Sequence, residues 1–204
     1  MKSRKVFCLG FQKTGTSSLG LALEKLGYSV AGYYPFRDLT GKDDVTWDEI
    51  RDRALRIAES HDAAQDTPWP LLYRELDAAF PNSRFILVTR DRNAWIESAV
   101  KDFGHFPNAI HNLIYGCPCP VGHEDTWLAR YDRHNSDVQD YFADRPDDFV
   151  KLDLNEGEVN WDNLCAFLDT PSPGIPWPHA NTRQIKSLKM KYYKVLEKLG
   201  LKRS

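Results

Sequence analysis

Lys5-Val-Phe-Cys-Leu-Gly10-Phe-Gln-Lys13-Thr-Gly15-Thr-Ser-Ser-Leu19 decides the fold of this chain. An apolar run ends at a glycine, a short polar turn follows, and a helix-compatible stretch opens at Thr16. Strand, loop and helix in that order make an anion site. The free N–H groups of a first helical turn point at the loop, and the helix dipole is positive there. Gly10 and Gly15 keep the Gly-x-x-x-x-Gly spacing of a nucleotide phosphate loop. The pattern then breaks: Thr16 stands where the lysine belongs, and the lysine lies inside the loop, at Lys13. That displacement argues against an ordinary ATPase or GTPase.

Working outward, the apolar spacing predicts strands at about residues 5–10, 28–31, 63–65, 84–90 and 148–153. Helices are predicted at 16–26, from Thr46 onward, and at 71–80, 93–101, 124–142, 161–168 and 182–199. Glu49, three positions after Thr46, gives a capping-box spacing. Arg84-Phe-Ile-Leu-Val-Thr-Arg90 has large apolar residues without alternation, as a strand buried on both faces requires. Residues 32–44 read as loop. Residues 102–124, rich in Gly, Pro, His and aromatics, read as an irregular functional insert. Alternating strands and helices imply right-handed crossovers and a mostly parallel sheet, with ligands at the carboxyl ends of its strands.

The 204 residues, 42% hydrophobic, suit one domain over 1–204. A net charge of −2 provides no global field for nucleic acid or a membrane surface. The charge is uneven: from Arg183 onward eight basic residues face one acid, Glu197. No leader is visible, and no apolar run approaches the roughly 18 residues that span a bilayer, so the expected location is cytoplasmic. Cys8 and Cys165 read as small buried hydrophobes. Cys117-Pro-Cys119 is tighter than zinc ligand pairs, with no second pair at a matching distance, so no metal is expected.

A second segment meets the anion loop at the ligand edge. Arg90 ends the strongest strand, and Ser98 lies two turns into the next helix. An arginine there can fork two hydrogen bonds onto a phosphate, and a hydroxyl can add a third. With both segments in view, the chain resembles a sulfotransferase of the family that uses 3′-phosphoadenosine 5′-phosphosulfate (PAPS). Gly10 through Leu19 is similar to that family's 5′-phosphosulfate loop, and Arg90 through Ser98 to its 3′-phosphate segment. Asp66-Thr-Pro68, Phe167-Leu168 and Pro176 through Asn181 resemble a single-domain branch of the family.

The resemblance implies an α/β, P-loop NTPase-like three-layer fold with a mostly parallel central sheet flanked by helices. It implies metal-independent in-line transfer of a sulfuryl group from PAPS to a hydroxyl or amine, leaving PAP. Lys13 would be catalytic, at the bridging oxygen. Lys13, Thr14, Gly15, Thr16, Ser17 and Ser18 would hold the phosphosulfate, and Arg90 and Ser98 the 3′-phosphate. The Arg-Lys-Gly closing loop of cytosolic members is absent, and Arg183 is the expected replacement. Trp69, Trp95 and Trp177 are candidates to stack on adenine. Asp66 occupies the position of the family's base, with His105 and His111 as rivals. Beside Lys13, its carboxyl is expected to titrate low. Two other readings stand beside this one: a nucleotide or small-molecule kinase, and a non-catalytic PAP or PAPS binder. The acceptor, small molecule or glycan, and the oligomeric state are not legible.

Overall fold

The computed structural model describes residues 4–42 and 44–180. Arg183 and the helix expected at 182–199 lie outside the described residues. The strands are β1 (Val6–Cys8), β2 (Val30–Ala31), β3 (Ala63–Ala64), β4 (Arg84–Thr89) and β5 (Phe149–Asp153). They form one sheet in the order β2-β3-β1-β4-β5, and every pairing is parallel. Phe7 of β1 lies opposite Ala64 of β3 and Phe85 of β4, which fixes the register at the centre.

Successive residues of the central strands enter opposite cores. Phe7, Leu9, Phe85 and Leu87 join one cluster; Val6, Cys8, Ile86 and Val88 join the other. All eight are buried, so the sheet is covered on both sides, as the unalternating run in β4 predicts. Helices α1 (Thr16–Lys25) and α7 (Trp161–Leu168) close one face through Leu19, Leu23, Leu164 and Leu168. The other face is closed by α2 (Trp47–Glu59), α3 (Tyr73–Ala79), α4 (Arg92–Phe103), α5 (Ala109–Tyr115) and α6 (Glu124–Tyr141). This is the expected three-layer α/β fold. Each fully buried leucine or phenylalanine contributes about 1.5–3 kcal/mol, so the site rests on a rigid platform.

Thr46 caps α2 as its spacing predicts, its Oγ1 accepting from the Glu49 N–H at 3.2 Å. Three expectations need correction. Residues 102–124 are not irregular throughout: α5 lies within them, started by Asn108, whose Oδ1 accepts from the N–H groups of Ile110 and His111. Residues 32–44 contain a 3-10 turn, Tyr34–Leu39, ordered by the complete burial of Phe36 and Leu39. The helix expected at 71–80 is a 3-10 turn, Trp69–Leu72, running into α3, because Pro70 suits the turn's opening. No helix of the described residues is long and apolar enough to cross a membrane.

Candidate active site

A cavity of about 750 Å³ opens at the carboxyl ends of the strands. Every strand supplies lining residues from the turn that follows it. Gln12, Lys13, Gly15, Thr16, Ser17 and Ser18 follow β1, Tyr33 follows β2, Asp66 and Thr67 follow β3, Arg90 follows β4, and Leu154 follows β5. Helix α4 adds Ser98, Asp102 and Phe103, and Asn108 and His111 come from the start of α5. The volume lies within the range of about 300–1,000 Å³ common for small-ligand sites.

The anion loop is wound tightly. Lys13 has φ 74° and Gly15 φ 95°, both in the left-handed region. A Cβ on Gly10 would meet Thr14 Oγ1 and the Val88 carbonyl oxygen, each at 2.6 Å, so only glycine fits there. Gly15 caps α1 with no side chain, and no acid sits in the first turn. Among the described residues the helix's own first turn thus holds no acid against its positive end, which faces the cavity.

Arg90 is tied to this loop rather than to a neighbouring acid. Its Nη1 donates to the Lys13 carbonyl at 3.0 Å. Its backbone is fixed by Tyr131, whose hydroxyl accepts from the Arg90 N–H at 2.9 Å and donates to the Arg90 carbonyl at 2.8 Å. Lys13 reaches the other way, its Nζ lying 2.7 Å from Asp102 Oδ2. Ser98 and Asp102 stand one turn apart on α4 and both line the cavity. One helix therefore addresses both the 3′-phosphate candidate and the candidate catalytic lysine.

Asp66 titrates in the direction opposite to that expected. Burial raises its carboxyl above the usual carboxylate value; the Thr67 N–H and the Lys13 charge oppose this more weakly. The expectation of a low pKa fails because the walls desolvate Asp66 more strongly than the Thr67 N–H and the Lys13 charge stabilise its carboxylate. Its Oδ1 accepts from the Thr67 N–H at 2.8 Å, and its backbone takes φ 70°. Of the rival histidines, His111 lines the cavity and His105 does not. Burial lowers the pKa of His111 to about 4, so its ring is neutral.

Gln12 was not predicted, and it joins the parts. Its Nε2 donates to Tyr115 Oη at 2.5 Å, and its Oε1 accepts from Thr67 Oγ1 at 2.8 Å. Its carbonyl accepts from Trp95 Nε1 at 2.9 Å. The loop is thereby locked to the turn after β3, to α4 and to α5. The only sequence signal was a polar residue following the apolar Phe11.

Thr14 stands apart from the other loop residues. It is fully buried, and its hydroxyl donates to the Phe11 carbonyl at 2.7 Å. It braces the loop and does not line the cavity. Ser18 lines it, and its Oγ also accepts from the Ala180 N–H at 3.2 Å, which ties the proline-rich stretch to α1. Of the adenine-stacking candidates, two are enclosed in the core and the third is half-buried. Trp69 and Trp95 are wholly buried, and Trp177 packs edge-on against Trp161 at 5.0 Å. Among the described residues no cluster of three or more His, Cys, Asp or Glu is arranged for a metal.

The profile of the sulfotransferase domain family matches residues 5–121 and 100–185. "Ava biosynthesis cluster protein M" of Aspergillus versicolor is 25% identical over 218 residues, covering 87% of this chain and 81% of that protein. The structure of a sulfotransferase from Alicyclobacillus acidocaldarius aligns with a TM-score of 0.56 at 15% identity, over 95% of this chain and 92% of the other. Mouse sulfotransferase SULT7A1, complexed with PAP, aligns at 0.42 and 12% identity over 85% of this chain and 61% of its own. At 15% identity the Alicyclobacillus structure speaks to the fold alone, and the family assignment rests on the profile. With that profile spanning most of its length, this chain belongs to the sulfotransferase domain family.

Proposed function

We propose that the protein transfers a sulfuryl group from PAPS to a hydroxyl or amine acceptor. The observation carrying this reading is the single cavity that joins the anion loop to Arg90 and Ser98, with Arg90 bonded to the Lys13 carbonyl. PAPS has a lone phosphosulfate and no adjacent phosphate pair to share a magnesium ion. Its charge suits lysine, backbone N–H groups and hydroxyls, which are what the loop offers.

In this reading the N–H groups of Thr16 and Ser17, with the hydroxyls of Thr16, Ser17 and Ser18, receive the 5′-phosphate. Arg90 and Ser98 receive the 3′-phosphate. The acceptor oxygen or nitrogen attacks sulfur as the bond from sulfur to the 5′-phosphate oxygen breaks. The electron pair stays on that oxygen, where Lys13 stabilises it. The acceptor's proton passes to Asp66. The raised pKa of Asp66 favours it over His111, whose burial makes it a weak base.

Labelled PAPS incubated with an acceptor panel tests the proposal. Turnover is expected, with Lys13→Ala slower by roughly 10²–10³-fold. Absence of transfer to any acceptor, with PAP still bound, would support a non-catalytic binder instead.

A further inference from the structure

A second cavity, of about 240 Å³, lies among α2, α3, α5 and α6 and shares no lining residue with the first. Its volume falls below the range of about 300–1,000 Å³ common for drug-sized ligands, so it suits a smaller body. Leu71, Leu72, Leu113 and Ile114 give it aliphatic walls. Three charged side chains also line it: Arg51, Glu75 and Arg130.

The three differ in what already holds them. Arg51 donates to Asp48 Oδ1 at 2.7 Å and to Asp52 Oδ1 at 3.0 Å, so its charge is balanced on its own helix. Arg130 is half-buried. Its Nε donates to the Ile114 carbonyl at 3.2 Å, and its guanidinium lies 5.7 Å from the centre of the Phe11 ring. Among the described residues no carboxylate pairs with it, and neither Nη makes a hydrogen bond. Burial works against its charge; Tyr115, Asp137 and Tyr73 offset this in part, and Arg133 adds to it. Glu75 is half-buried as well, in the first turn of α3. Among the described residues its carboxylate accepts no hydrogen bond and forms no ion pair, with Arg130 or any other cation.

A guanidinium and a carboxylate thus line one small cavity without meeting. A lone carboxylate entering it would pair with Arg130 but face Glu75. A lone amine would pair with Glu75 but face two arginines. A body carrying both charges satisfies both side chains, and the four aliphatic residues ask for an apolar remainder. We propose that this cavity binds a free aliphatic α-amino acid, its carboxylate on Arg130, its ammonium on Glu75 and its side chain against the leucines and Ile114. The proposal is independent of the sulfotransferase reading, since the two cavities have no residue in common.

The test is a calorimetric titration of the full chain with L-leucine, with 4-methylpentanoate, which lacks the amine, and with 3-methylbutylamine, which lacks the carboxylate. Leucine is expected to bind saturably, and each analogue about tenfold or more weakly. Glu75→Gln should remove the advantage of leucine over 4-methylpentanoate. Arg130→Met, which keeps an apolar stem near Phe11, should remove its advantage over 3-methylbutylamine. Arg90→Ala, in the other cavity, should leave leucine binding unchanged. Melting curves report whether each variant is folded; should Arg130→Met fail to fold, Glu75→Gln decides alone. No binding of leucine, an analogue that binds as tightly, an advantage unmoved in folded Glu75→Gln, or loss of leucine binding in Arg90→Ala would overturn the inference.

Discussion

Arg90 Nη1 donates to the Lys13 carbonyl across 3.0 Å, although 77 positions separate the two residues. The side chain at the end of β4 thus holds the backbone of the loop that follows β1. The candidate 3′-phosphate and 5′-phosphosulfate contacts are parts of one rigid unit.

Removing that link should be felt at both ends. Arg90→Ala is expected to weaken PAP binding by about 10–100-fold, the scale of a lost hydrogen bond to a charged group. Arg90→Lys should recover only part of this, because an ammonium cannot reproduce the planar fork. Calorimetry on the two variants checks the order. Equal affinities for wild type and Arg90→Ala would remove Arg90 from the site.

Gly10 is a packing requirement of the loop. A methyl there meets the Val88 carbonyl and Thr14 Oγ1 at 2.6 Å, and Thr14 is itself pinned to Phe11. Gly10→Ala should destabilise the fold by about 1–3 kcal/mol, the usual cost of forced overpacking. Thermal denaturation reads this as a melting point lower by several degrees. An unshifted melting point would mean that β1 and β4 separate more easily than this packing allows.

Asp66 carries a paired prediction for stability and activity. The native state keeps the Asp66 proton to higher pH than the unfolded chain does. Stability from this group is therefore full below the unfolded pKa and declines as pH rises through the native one. Asp66→Asn should melt higher than wild type at neutral pH. It should also lose sulfuryl transfer by roughly 10²–10⁴-fold, because the base is gone. Wild-type kcat/KM should rise with pH through a midpoint above the ordinary carboxylate value. A variant that melts higher and still turns over at the wild-type rate would assign the proton to another group.

Two buried histidines make the fold acid-sensitive. His134 donates from Nε2 to the Leu9 carbonyl at 2.8 Å and stacks on Phe11 at 4.2 Å. Burial lowers its pKa from 6.5 to about 3, and that of His111 from 6.5 to about 4. The unfolded chain therefore takes up protons below pH 6.5 that the native state refuses. Stability from both groups is present above 6.5 and is lost as pH falls toward the native values. Urea midpoints should drop steeply below pH 6.5, and His134→Gln should make the slope shallower by about one proton. A flat profile between pH 7 and 5 would contradict the burial of these rings.

The sheet was legible because its signals are local. The apolar run of β4 and the Gly-punctuated loop after β1 locate themselves to within a residue or two. Thr46 with Glu49 announced α2 in the same way. Helix α5 was hidden for a local reason too. Its seven residues sit among Gly104, Pro107, Gly116 and Pro118, which read as breakers, although Asn108 and Gly116 are its two caps. The convergence of Lys13, Arg90 and Ser98 followed from the parallel topology and the resemblance together. What escaped the sequence are pairings made by packing alone. Lys13 with Asp102 and Gln12 with Tyr115 are separated by 89 and 103 positions, and no periodicity encodes either. The raised pKa of Asp66 escaped too, because it comes from burial by the cavity walls, which the charge of Lys13 only partly offsets.

The most direct test is a calorimetric titration of the protein with PAP in the presence of a metal chelator, set beside a titration with ATP and magnesium. The account predicts saturable binding of PAP without metal and much weaker binding of ATP. Tight binding of ATP with magnesium, and no heat from PAP, would contradict it.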